Sequence, residues 1–244
     1  MSERVDQLFN GGVKIIQSDT VFSFSLDAVL LADFAHVTKK TRLVDLCAGN
    51  GAVGLFLSRY TQQQIDLVEI QAKLADMAQR SVALNQLTDQ VIVHNLDLKE
   101  APQKIGADFA DVVTCNPPYF ADRPDSVKNP NPHYAIARHE LKTTLNQVLN
   151  TSSRLLKTNG HLYMVHRPER LDEIIVALQQ NRFALKQLRF VYPKADREAN
   201  MVLIDAIKDG RPNGVRILPP LTVYTADNQY RPEVQKILYG TERS

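Results

Sequence analysis

Five short apolar runs, at residues 43–47, 65–70, 91–96, 111–115 and 161–166, punctuate the first two thirds of the chain. None alternates strictly between apolar and polar positions, which is the pattern of strands covered on both faces. Between them, apolar residues recur at helical spacing. Residues 73–85 carry Leu74, Ala78 and Val82, and residues 141–157 set Leu141, Leu145, Val148, Leu149, Leu155 and Leu156 on one stripe. The second helix is expected to stop at Thr158-Asn159-Gly160, with Gly160 in the left-handed conformation that closes a helix. Pro168 opens another helix, with Leu171, Ile174, Ile175 and Leu178 facing inward. Strands alternating with helices predict an α/β fold, a doubly wound and mostly parallel sheet. Residues 185–192 and 201–208 then read as two strands whose polar connection, 193–200, is too short for a helical crossover. They must pair antiparallel, so the sheet has seven strands and an antiparallel C-terminal strand.

The 244 residues suit a single domain. It divides into an N-terminal segment at 1–40, a core at 41–210 and a Pro-punctuated tail at 211–244 that wraps the surface. With 44% hydrophobic and 23% charged residues the chain is an ordinary globular one, which excludes disorder, collagen-like repeats and a disulfide scaffold. No signal peptide follows the charged start, and no apolar stretch approaches the ~18 residues that cross a bilayer. Two cysteines, Cys47 and Cys115, fit a reduced cytoplasmic compartment. Net charge is +2, but from Asn181 onward there are 11 basic and 7 acidic side chains, a bias that suits a polyanionic partner and equally an uneven solvated surface.

The segment Leu43-Val-Asp-Leu-Cys-Ala-Gly-Asn-Gly-Ala-Val-Gly54 runs a strand through a tight turn into a helix. Its Gly49-x-Gly51-x-x-Gly54 spacing matches a dinucleotide fingerprint, with Glu69 following 20 residues after Gly49. Two ligands fit such a loop. A dinucleotide needs the helix N-terminus free for its pyrophosphate. S-adenosylmethionine has no phosphate and carries an ammonium and a sulfonium, so an acid at the strand end, Asp45, suits it and repels pyrophosphate. For either ligand Glu69 accepts from ribose hydroxyls, and Asp97 is placed to accept from the adenine amine. Asp45, Glu69 and Asp97 give one acid near the end of each of three successive strands, all facing one crevice.

Directly after the fourth strand stands Asn116-Pro117-Pro118-Tyr119, the most specific feature of the chain. Two prolines fix φ, and Pro117 holds Asn116 extended. The result is a rigid shelf of acceptors, the Asn116 side-chain oxygen and the Pro117 carbonyl. Accepting both hydrogens of a planar NH2 group holds its nitrogen and favours the pyramidal form that attacks a methyl group. Tyr119 offers a ring face to a flat substrate and to a cationic sulfur. Pro118 completes the shelf.

With these motifs the chain resembles the class I S-adenosylmethionine-dependent methyltransferases that modify planar amine or amide nitrogens. Within them it is most similar to the tRNA adenine-N6 methyltransferases that act beside the anticodon of a valine tRNA. The matching stretches are Phe22-Ser-Phe-Ser-Leu-Asp-Ala-Val-Leu-Leu31, the glycine loop, the Asn116 loop, Ala137-Arg-His-Glu140 and Asn200-Met-Val-Leu-Ile-Asp-Ala-Ile-Lys208. The resemblance implies a Rossmann-like methyltransferase fold, S-adenosylmethionine as cofactor and an RNA adenine amine as substrate, tRNA first. It implies that Asn116, Pro117 and Tyr119 carry catalysis, and that Asp45, Cys47, Gly49, Gly51, Glu69, Asp97 and Asn116 hold the cofactor. Phe24, in a segment that folds over the cofactor in such enzymes, takes a lid role beside Asp27. Cys47 stands where the family usually has glycine.

The polar residues 121–138 lead to His139 and Glu140. Such a loop can close over a base that has left its stack, with His139 taking up the released proton or merely capping a helix. Four other readings remain: a glutamine amide of a release factor, a guanine amine in rRNA, an NAD-dependent oxidoreductase using the glycine loop, and a non-catalytic RNA-binding module that keeps the fold. The chain lacks a Walker loop, a paired Cys-x-x-Cys and a His-x-x-x-His, and His161 and His166 alternate to opposite strand faces, so no metal is expected.

Overall fold

The structure, a computed structural model, describes residues 3–8, 12–18, 26–119 and 143–240. In chain order the elements are β1 (Glu3–Leu8), β2 (Val13–Ser18), α1 (Leu26–Phe34), β3 (Leu43–Leu46), α2 (Ala52–Leu57), β4 (Ile65–Glu69), α3 (Ala72–Leu84) and β5 (Val91–Asn95). There follow α4 (Ala101–Lys104), β6 (Ala110–Cys115), α5 (Leu145–Leu155), β7 (Leu156–His166), α6 (Leu171–Gln180), β8 (Phe183–Tyr192), β9 (Met201–Lys208), β10 (Arg216–Ile217), β11 (Leu221–Thr222) and α7 (Pro232–Tyr239).

The seven long strands lie side by side in the order β5-β4-β3-β6-β7-β9-β8. β9 runs antiparallel to both neighbours, and the other six share one direction. This is the sheet that the alternation of runs predicts, with β10 and β11 added in parallel on the β8 edge. Both faces are covered. Leu43, Leu67, Val112 and Val165 join a core with α1 and α2, while Val44, Leu46, Val113 and Met164 join a second core with α5 and α6. Because both sides of the pleat are apolar, the strands show no polar alternation.

Three sequence expectations are corrected. The helix expected over 141–157 is described as Leu145–Leu155, since Thr144 and Gln147 form a reciprocal capping box at its start. It does not close at Gly160. The chain turns extended at Leu156, Asn159 rather than Gly160 takes the left-handed conformation at φ 65°, and Gly160 lies within β7. A Cβ at Gly160 would meet Lys157 O at 2.9 Å and Asp111 O at 3.2 Å, so glycine is required there for close packing. The tail also does more than wrap the surface. It supplies β10 and β11, and Val234 and Leu238 of α7 are buried in the first core. The antiparallel hairpin β1–β2, unforeseen within the 1–40 segment, packs on α3 through Ile16, Leu74 and Met77.

Gly54 shows how tightly α2 sits on the sheet. A Cβ there would lie 2.2 Å from Cδ2 of the fully buried Leu67. Gly54→Ala is therefore expected to destabilise the fold by about 1–3 kcal/mol through overpacking, lowering Tm by several degrees in thermal denaturation. An unchanged Tm would contradict this packing argument.

Candidate active site

The strand order reverses between β3 and β6, and Leu46 and Cys115 are register partners at the ends of these strands. The glycine loop after β3 and the Asn116 loop after β6 therefore leave the sheet side by side, at the topological switch point where doubly wound sheets bind ligands.

The glycine loop bends through three left-handed residues, Cys47 (φ 56°), Gly49 (φ 58°) and Gly51 (φ 88°). For Cys47 this conformation costs roughly 1–2 kcal/mol, which is the physical reason that glycine suits the position. Its thiol meets that of Cys115, and burial pushes the Cys115 thiol well above its ordinary range. Asn50, buried at the tip of the loop, donates from Nδ2 to Ile16 O at 3.0 Å and so ties the loop to β2.

Two acids brace this loop from below. Asp45, in β3, accepts from Gly54 N at 3.2 Å and from Thr114 Oγ1 at 2.7 Å. Glu69, ending β4, accepts from Gly49 N at 2.9 Å and Gln71 N at 2.8 Å. Both are buried, and among the described residues neither pairs with a Lys or Arg side chain. Burial outweighs these hydrogen bonds, lifting the Asp45 carboxyl to about 7 and Glu69 above its usual range. The third acid is differently placed. Asp97 caps a short 3-10 turn, Leu98–Glu100, accepting from Lys99 N at 3.0 Å, with Lys99 Nζ also 3.0 Å away.

On the other side of the switch point, Pro117 and Pro118 are buried while Asn116 and Tyr119 are half-buried. Tyr119 is held at three points. Its hydroxyl lies 2.5 Å from both Asp27 Oδ2 and Asn116 Oδ1, and its carbonyl accepts from Arg170 Nη1 at 3.1 Å. The ring packs at a tilt on His166, with centroids 5.5 Å apart. His166 accepts from Arg167 N at Nδ1, so its hydrogen sits on Nε2, which has no partner among the described residues. Burial, with help from Arg170, lowers its pKa to about 4, so the ring stays neutral.

The structure thus brings the glycine loop (Cys47, Gly49, Gly51), its bracing acids Asp45 and Glu69, and the loop of Asn116, Pro117, Pro118 and Tyr119 together at the switch point, while Asp97 caps the turn that follows β5. Phe24 and His139 lie outside the described residues. Thr114 and Arg170 carry no signal in the sequence, His166 is read there only as a metal ligand to be excluded, and Asp27 has no contact assigned to it. Among the described residues no group of His, Cys, Asp or Glu is arranged to hold a metal, and no helix is long and apolar enough to cross a membrane.

A seven-strand sheet with this order, an antiparallel β9 and an acid-braced glycine loop at the switch point defines the class I methyltransferase architecture. Residues 12–190 match the family model of the methyltransferase small domain, and the chain belongs to that family. It is 29% identical over 206 residues to the tRNA1(Val) (adenine(37)-N6)-methyltransferase of Erwinia tasmaniensis, covering 84% of this chain and 81% of the relative. Among solved structures it resembles a predicted O-methyltransferase of Agrobacterium tumefaciens, with a TM-score of 0.68 and 24% identity over 86% of this chain and 94% of that one. It also resembles the geranyl diphosphate C-methyltransferase of Streptomyces coelicolor, solved in complex with Mg2+, geranyl diphosphate and S-adenosyl-L-homocysteine. That match has a TM-score of 0.57 and 16% identity over 74% of this chain and 76% of that one.

Proposed function

We propose that this protein transfers a methyl group from S-adenosylmethionine to the exocyclic N6 amine of an adenine in tRNA, beside the anticodon, in the cytoplasm. The observation that carries the reading is the Asn116 loop standing at the switch point next to a glycine loop braced by two buried acids, Asp45 and Glu69. The relatives named as tRNA1(Val) (adenine(37)-N6)-methyltransferases support the choice of substrate.

The residues present fit this cofactor. Two desolvated acids that have no Lys or Arg partner among the described residues favour a cationic ligand over an anionic one. Two of the loop amides that could meet a pyrophosphate are occupied, Gly49 N by Glu69 and Gly54 N by Asp45. That argues against the dinucleotide reading of the same glycines. Asp45 and Glu69 hold the cofactor's polar groups, Gly49 and Gly51 let the backbone approach it, and the 1–40 segment covers it. Phe24 serves as the lid and Asp97 as the outer acceptor. Bound there, S-adenosylmethionine supplies a methyl group already activated on a sulfonium.

Asn116 and the Pro117 carbonyl accept from the target NH2 and hold its nitrogen in line, with Pro118 stiffening the shelf. Positioning and electrostatics carry the rate. Neutral His166 takes no proton here, and His139 is the residue assigned to receive the proton after transfer. The base must leave its stack for its amine to meet the Asn116 side chain and the Pro117 carbonyl.

The test is transfer of labelled methyl from S-adenosylmethionine to unmodified tRNA, followed by nucleoside mass spectrometry. N6-methyladenosine is the expected product. Label found only on a release-factor glutamine or on a guanine of rRNA would reject the tRNA reading.

A further inference from the structure

The Tyr119 hydroxyl has one hydrogen and faces two acceptors, Asp27 Oδ2 and Asn116 Oδ1. Burial, and secondarily the Asp27 carboxylate, push the phenol's ionisation well above its ordinary range, so the hydrogen stays on the oxygen at neutral pH. The two acceptors therefore compete for it. Asp27 is buried in the first turn of α1, where its Oδ1 accepts from Ala28 N at 2.8 Å, so the carboxyl group is fixed with Oδ2 toward the phenol. Tyr119 is fixed by Arg170 and His166. The amide of Asn116 keeps a broad, roughly two-fold terminal torsion and is the member of the chain that can still turn.

We propose that Asp27 is a positioning residue for methyl transfer: its carboxylate draws the Tyr119 hydrogen away from Asn116 and so releases the Asn116 side-chain oxygen to the target amine. An ionised acceptor makes a hydrogen bond roughly twice as strong as a neutral one, so the carboxylate wins the phenol hydrogen. The Asn116 amide then turns its NH2 toward the phenol oxygen and its carbonyl toward the incoming amine. Without the carboxylate, the phenol donates to Asn116 Oδ1 and covers the acceptor that the reaction requires. This inference rests on the proposed function, because an NH2 substrate is what needs that oxygen. Asp27 and Tyr119 are 92 residues apart in sequence, so only the fold joins them.

The test compares Asp27→Asn, Tyr119→Phe and the double variant in the full-length protein. Asp27→Asn is expected to lower kcat about tenfold or more, with KM for tRNA and affinity for S-adenosylhomocysteine within about twofold of wild type. In the Tyr119→Phe background, where no phenol can cover Asn116, adding Asp27→Asn should change kcat by less than about twofold. Losses that multiply in the double variant, or wild-type kcat in Asp27→Asn, would overturn the proposal; a merely structural role predicts the multiplying result. A second readout needs no substrate. The 13Cζ resonance of labelled tyrosine at Tyr119, assigned by its absence in Tyr119→Phe, should shift in Asp27→Asn, and an unmoved resonance would overturn the Asp27–Tyr119 link. A wild-type protein that methylates no RNA would instead remove the proposed function, with the resonance still reporting on the link.

Discussion

Asn116→Ala is expected to lower methyl transfer to tRNA by about 100-fold or more while the protein folds normally and binds S-adenosylhomocysteine within a few-fold of wild type. The size follows from what the side chain does. It stands at the end of β6, with Pro117 and Pro118 buried behind it, and the loop leaves the sheet next to the glycine turn. An acceptor at that point fixes a nitrogen nucleophile in line with its methyl group and favours the pyramidal geometry of attack. Both effects belong to the transition state, so the loss falls on kcat rather than on KM. Single-turnover transfer to unmodified tRNA measures it. A loss confined to KM would mean that Asn116 only binds substrate.

The second large effect concerns pH. Burial raises the Asp45 carboxyl from 3.8 to about 7, against the opposing hydrogen bonds from Thr114 and Gly54. An acid raised on folding adds stability that is fully present below its unfolded pKa and is lost as pH rises through the folded one. Asp45 therefore weakens the fold progressively between about pH 4 and 7, and Glu69, also raised, acts in the same direction. A cationic ligand beside Asp45 reverses this by favouring its ionised form. Below pH 7 binding must expel the proton, so affinity for S-adenosylhomocysteine is expected to fall by up to about tenfold per pH unit as pH drops from 7. Calorimetry in buffers of different ionisation enthalpy should register proton release below pH 7 and none well above it. Asp45→Asn, with no carboxyl to titrate, should bind weakly and with a flattened profile. A wild-type affinity that does not vary with pH would show that Asp45 does not meet the ligand's charge.

Much of this site is legible in the chain because its elements are local. Leu43 to Gly54 states a strand, a left-handed turn and a helix within twelve positions, and Asn116 to Tyr119 states a stiff loop through its two prolines. The sheet is legible because strands buried on both faces lose polar alternation together. What the sequence conceals depends on distant partners. The acids read as ligand contacts turn out to brace the loop as well, since Gly49 N and Gly54 N need acceptors. Asp97 caps a turn because Lys99 N lies within reach. The β1–β2 hairpin gains its stability from α3, through Ile16 N on Ser81 Oγ and Lys14 N on Asn85 Oδ1, bonds that no local pattern announces. The end of α5 differs from its sequence pattern for a related reason. Gly160 suggests a helix stop, but its lack of a Cβ serves the close approach of Asp111 O.

The most direct measurement is a crystal structure of the protein with S-adenosylhomocysteine. The account predicts the amino acid moiety over Asp45, the ribose at Glu69, and the thioether sulfur turned toward Asn116 with the shelf open beyond it. A sulfur lying on the far side of the glycine loop from residue 116, or a cleft that stays empty at saturating ligand, would contradict it.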